Sequence, residues 1–170
     1  MACGRDHPEP STSIFYAPSE HAGTGGMHSE IIRSTSRWYK DFERRDTVLV
    51  QNGSDNDPLR GMLVGRVLRF ISFVHDNIKY PCALVNWYMP VHDAEDPVFG
   101  MWEVKVEKDA NGKRTIGLVH LDCIVRACHL MPVFQNTTIP HSFHFSDSLS
   151  AFKAFYVNRY IDYHSHECIF

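Results

Sequence analysis

Met62-Leu63-Val64-Gly65-Arg66-Val67-Leu68-Arg69-Phe70-Ile71-Ser72-Phe73-Val74, then His75-Asp76-Asn77, then Ile78-Lys79-Tyr80-Pro81-Cys82-Ala83-Leu84-Val85-Asn86-Trp87-Tyr88-Met89 is the run that decides the fold. Two long apolar stretches rich in β-branched and aromatic residues flank a short polar turn, the signature of a β-hairpin. Arg66, Arg69 and Ser72 interrupt the first arm, yet neither arm alternates cleanly. Strands covered on both faces read this way, as in a small closed barrel.

Working outward, Thr47-Val48-Leu49-Val50 is a short β-prone run, followed by Asn52-Gly53 and a polar loop. Met101 to Glu107 alternates, with Trp102, Val104 and Val106 on one face and Glu103, Lys105 and Glu107 on the other. Asn111-Gly112 is a hairpin turn, and Lys113 to Leu121 is the expected partner strand. Asp122 can cap one helical turn to Ala127, and His129 to Phe134 reads as a further short strand. Leu149, Phe152, Tyr156, Tyr160 and Tyr163 recur at helical spacing and predict a helix from about Ser148 to Tyr163. Residues 1–36, rich in Pro, Ser, Gly and His, read as a flexible tail, with Trp38, Tyr39 and Phe42 opening the folded part. The expectation is a mainly β fold: a small twisted barrel within one domain at 37–170, with a C-terminal helix and a disordered N-terminal tail.

Composition narrows the function classes. The 170 residues are 44% hydrophobic and 22% charged, enough for one domain with a real core. Net charge is −3, and Arg44-Arg45 lie among Asp41, Glu43 and Asp46, so no strong basic patch supports nucleic-acid binding. Five cysteines form no C-x-x-C pair, which argues against a zinc ribbon and fits a reducing compartment. The first residues lack the apolar core of a secretory signal. No apolar run nears the ~18 residues of a membrane span. No phosphate-binding glycine motif stands between a strand and a helix.

Three constellations could carry chemistry. Asp93, Glu95 and Asp96 form an acidic loop near Trp87, Tyr88 and Trp102; aromatic faces beside carboxylates suit a cationic ligand such as methylated lysine. The competing reading makes both tryptophans barrel core. His141, His144, His164, His166 and Cys168 are an alternative metal set, since a metal needs three or four converging N, O or S groups. In an extended chain His164, His166 and Cys168 would share a face. His120, Asp122, Cys123, Cys128 and His129 contain nucleophile and base types, but adjacent Cys128 and His129 point oppositely in a strand.

The order of Asp46-Thr47-Val48-Leu49-Val50, Val64-Gly65-Arg66-Val67, Val85-Asn86-Trp87-Tyr88-Met89-Pro90 and Ile124-Val125-Arg126-Ala127-Cys128-His129-Leu130 resembles the bromo-adjacent homology (BAH) domain. Phe155-Tyr156-Val157-Asn158-Arg159-Tyr160 is similar to that family's aromatic ending. The chain also looks like the C-terminal module of Plavaka and Zisupton transposase proteins from fungal mobile elements. The resemblance implies a nuclear, non-enzymatic protein-interaction barrel without cofactor, contacting chromatin and sometimes a histone tail, with Trp87 at the family's cage position. Two other classes compete: a metal-binding domain or hydrolase on the His/Cys set, and a DNA-binding accessory of a transposase.

Overall fold

The computed structural model describes residues 11–17, 26–38, 42–52, 58–134, 138–139 and 141–169. Its strands are β1 (Ser11–Ala17), β2 (Gly26–Ile32), β3 (Ser34–Thr35), β4 (Arg44–Arg45), β5 (Thr47–Gln51), β6 (Met62–His75), β7 (Ile78–Pro90), β8 (Glu103–Val106), β9 (Ile116–His120), β10 (Ile124–Cys128), β11 (Leu130–Pro132) and β12 (Ala154–Val157). Two helices, α1 (Ser148–Ala151) and α2 (Tyr163–Ile169), flank β12.

Seven antiparallel strands in the order β10-β5-β6-β7-β8-β12-β11 make a nearly closed barrel. The first and last strands of that path follow one another across His129, so a single bend in the chain brings the sheet back on itself. The β6–β7 hairpin is the spine, paired from Val64↔Tyr88 to His75↔Ile78. Asp76 and Asn77 both adopt positive φ, +49° and +60°, which a two-residue type I′ hairpin turn requires.

The barrel wall separates two cores. Leu49, Val64, Tyr88, Val104, Phe155 and Val157 fill one side. Val48, Val50, Val67, Ala83, Val85 and Val119 fill the other, beneath Ile32. Alternate residues of β5 serve alternate cores, and this is why the strands do not alternate in polarity: both faces are covered.

Four local expectations differ from the structure. The strand after Asn111-Gly112 pairs not with β8 but with β7, from Asn86↔Ile116 to Cys82↔His120. The thirteen-residue β7 is long enough for β8 to take one end of its edge and β9 the rest. The turn at 122–127 is a 3-10 turn at Leu121–Cys123 that leads straight into β10. The helix expected over 148–163 is three elements, with β12 between α1 and α2. Phe155 and Val157 are buried on one side while Tyr156 is only half-buried, so this stretch obeys a period of two and joins the barrel between β8 and β11. The C-terminal helix exists, but it is α2. Finally, part of the expected tail is structured: β1 pairs along its whole length with β2, and Ile32 is 1% exposed. Residues 1–10 and 18–25, on which the rest of that expectation falls, lie outside the described residues. Trp38, at the start of the expected folded part, lies exposed between the Arg33 and Arg44 guanidinia.

One side chain ties the chain's distant parts together. Arg126 of β10 is 2% exposed. Its guanidinium donates to both Asp162 oxygens, at 2.7 and 2.6 Å, and to Glu30 Oε1 at 2.7 Å. Glu30 also accepts the Ala127 amide at 2.9 Å, which fixes β2 to the barrel. Burial disfavours the Arg126 charge, but the bonds to Asp162 and the Glu30 carboxylate outweigh it and raise its pKa. Burial likewise works against the Asp162 charge, and Arg126 with the Ser165 amide overcomes it, holding that carboxyl below its usual range.

Candidate functional site

The connection from β7 to β8 carries the acidic loop, and Asp96 organises it. Its carboxylate accepts the Val98 and Phe99 amides, each at 2.9 Å, and its carbonyl accepts the Gly100 amide at 2.7 Å. Gly100 turns the chain at φ +58°, where a side chain would be strained. The bond from the Phe99 amide is the largest cause of a depressed Asp96 pKa; the Tyr156 hydroxyl, 3.3 Å away, adds to it.

The segment after β12 clamps this loop from the other side. Arg159 donates to the Gly100 carbonyl at 2.7 Å, approaches Glu95 at 3.5 Å, and donates through Nε to His166 Nδ1 at 3.0 Å. The Tyr160 hydroxyl donates to the Phe99 carbonyl at 2.8 Å. Phe99 packs edge-on against Tyr156 with ring centres 5.5 Å apart. The result is a rigid ledge whose outer surface is Val98, Phe99 and Tyr160, at 80%, 50% and 67% exposure. Exposed Asp93 and half-buried Glu95 and Asp96 rim it. Among the described residues Asp93 makes no ion pair, so its charge is available.

The three aromatic residues expected beside these carboxylates do not join them. Tyr88 and Trp102 are buried at 4% and 8% exposure in the core around Phe155, and the Tyr88 ring meets Phe155 edge-on at 5.9 Å. Trp87, one residue from Tyr88, faces the opposite core. Its indole lies flat on β9: a Cβ added at Gly117 would stand 2.2 Å from Trp87 Nε1. The ledge aromatics Phe99, Tyr156 and Tyr160 fall outside the expected set: helical spacing puts Tyr156 and Tyr160 on a helix, and Phe99 reaches Tyr156 only through the fold. The alternation Phe155-Tyr156-Val157 is the sequence signal for a strand there.

The alternative metal set is dispersed. His144 stacks on Phe42 at 4.2 Å and meets Ser146 Oγ, far along the chain from α2, and His141 is exposed in the preceding turn. Because residues 163–169 are helical rather than extended, His164 and Cys168 share a face, with sulfur 3.7–3.8 Å from the ring nitrogens, while His166 turns to Arg159. Burial, then the Arg126 cation, lowers the His164 pKa, and burial raises that of the Cys168 thiol. Among the described residues no three His, Cys, Asp or Glu side chains converge to hold a metal. Cys128 and His129 are likewise split: the thiol is buried and pushed up to about 12, while the imidazole is exposed beside Asn158. A thiol so shifted is a poor nucleophile.

No family model, curated protein or solved structure matches this chain. The geometry of the barrel and its ledge is therefore what a functional reading stands on.

Proposed function

We propose that the protein is a non-catalytic interaction module that receives a basic peptide segment on the ledge formed by the acidic loop and the turn after β12. The observation that carries this reading is the pairing of Val98, Phe99 and Tyr160, held outward by backbone-directed bonds, with the Asp93, Glu95 and Asp96 rim. Exposed apolar groups locked in place lose little entropy on binding, and Tyr and Arg are the residues that most often dominate such contacts. Asp93 is the rim carboxylate without an ion pair among the described residues, and an aromatic face beside it favours a lysine or arginine side chain; Arg159 already covers one face of Tyr160 at 5.7 Å, which leaves Phe99 and the other face. The BAH-like order of strand motifs supports a chromatin setting, a histone-type tail as partner and a nuclear location; kinship to mobile-element proteins belongs to the same proposal.

The test is titration of the isotopically labelled protein with a Lys/Arg-rich histone-type peptide, methylated and unmethylated, followed by NMR. Shifts should centre on residues 93–100 and 156–160. Tyr160→Ala with Phe99→Ala should weaken binding by roughly tenfold or more, the size of one hot-spot contact, with the melting temperature little changed. Absence of saturable shifts at millimolar peptide, or shifts that ignore the double substitution, would end this reading.

A further inference from the structure

The β8–β12 ladder runs from Tyr156↔Glu103 to Ala154↔Lys105 and stops. Beyond it residues 150–153 part from residues 106–108, and a groove of about 650 Å³ opens between them. Lys105, Lys108, Arg114 and Lys153 line it, and among the described residues no carboxylate does. Lys108 is the direct cross-strand neighbour of Arg114 through an isolated bridge. Like charges so placed destabilise a ladder. Among the described residues none of the four cations has an ion-pair partner. In a chain of net charge −3 this concentration of positive charge is local and uncompensated.

A second observation comes from beneath the groove. Arg66 is 6% exposed and reaches the groove wall, donating from Nη1 to Ser150 Oγ at 3.3 Å. Its Nε has no hydrogen-bond partner among the described residues, while its Nη2 lies 3.8 Å from Glu43 Oε1. Burial lowers the Arg66 pKa, and Arg114 is near enough to lower it further. Unused buried donors are rare in folded proteins, and an anion at the groove is one way to satisfy this one.

We propose that this groove is an anion site for the phosphate group of a small phosphorylated ligand that also carries a flat or apolar part. The rim cations Lys105, Lys108, Arg114 and Lys153 receive the phosphate, and Met89 and Phe152 receive the apolar part; Arg66, itself 3.8 Å from Glu43, lies behind the wall and holds Ser150. The groove falls within the roughly 300–1,000 Å³ typical of small-molecule sites. The cations ring a concavity rather than forming the stripe that tracks a nucleic-acid backbone.

The experiment uses the full chain at low ionic strength, titrated calorimetrically with inorganic pyrophosphate and with adenosine monophosphate, and repeated by NMR. One-to-one saturable binding is expected, with shifts at Lys108, Arg114, Ser150 and Lys153. Lys108→Glu with Arg114→Glu, both at exposed positions, should cut affinity by roughly tenfold or more while the thermal melt stays cooperative. Arg66→Met should weaken binding also; if it fails to fold, the exposed double reversal still decides. The proposal is overturned if neither probe saturates, if the double reversal leaves affinity unchanged, or if only long oligonucleotides or acidic peptides bind.

Discussion

Substitutions at the Arg126 cluster should produce an order of effects that exposure alone would not suggest. Arg126→Met removes the buried cation; Asp162→Ala removes its best partner. Breaking a buried ion pair typically costs about 3–5 kcal/mol, mostly from the charge left behind. In Arg126→Met the groups left behind are Glu30 and Asp162, which are 26% and 42% exposed and can be rehydrated. Methionine also fills most of the vacated volume, so the expected loss falls to or below the bottom of that range, about 2–3 kcal/mol. In Asp162→Ala the group left behind is a guanidinium at 2% exposure with two strong bonds gone, so the loss should be larger, about 3–4 kcal/mol. For a chain of this size that is roughly 2–4 °C of melting temperature per kcal/mol. Urea unfolding monitored by tryptophan fluorescence measures both. The reasoning is refuted if Arg126→Met is the more damaging change, or if both lie within about 0.5 kcal/mol of the parent protein, the range of ordinary surface substitutions.

The same cluster sets an acid limb. The Asp162 pKa is lowered in the folded state, so its contribution is present above the unfolded value near 3.9 and is lost as pH falls through the folded one. Stability should drop below about pH 4 in the parent, and Arg126→Met should flatten that limb; equal acid slopes would contradict this. Gly117→Ala should cost about 1–3 kcal/mol through overpacking, because its Cβ would meet Trp87 Nε1 at 2.2 Å. Gly65→Ala, with its closest contact at 3.2 Å, should be milder, and a reversed order in thermal melts would show that the indole does not rest on β9. Alkylation mapped by mass spectrometry should label exposed Cys123 first and the buried Cys82 and Cys128 last among the described cysteines, burial also pushing the Cys128 thiol up to about 12; early labelling of Cys128 would deny that burial.

The barrel was legible where the chain's local and tertiary preferences agree. Met62 to Met89 carried both strands and the turn, and Trp102, Val104 and Val106 were placed on one face, where all three pack against the same core. Legibility failed where one spacing served two periods. Leu149, Phe152, Tyr156 and Tyr160 are three to four apart, yet they belong to a helix, its extended exit, a strand and a turn. What selects the strand at 154–157 is the open edge of β8, a partner distant in sequence. The ligand candidates show the same division. The acidic loop was found, because turn chemistry is local; its aromatic partners were not, because Phe99 meets Tyr156 only after β12 has joined the sheet. The basic groove was invisible because Lys105, Lys108, Arg114 and Lys153 come together only in three dimensions.

Arg126 also imposes an order in time. It reaches 96 residues back to Glu30 and 36 forward to Asp162. The β6–β7 hairpin can close early, over a two-residue turn. During synthesis Arg126 emerges well before Asp162, and until the later segment arrives its guanidinium has only one carboxylate available for burial in the finished barrel. Docking of α2 is thus coupled to the settling of β10, and a chain shortened before Asp162 would present a charged, half-assembled seam.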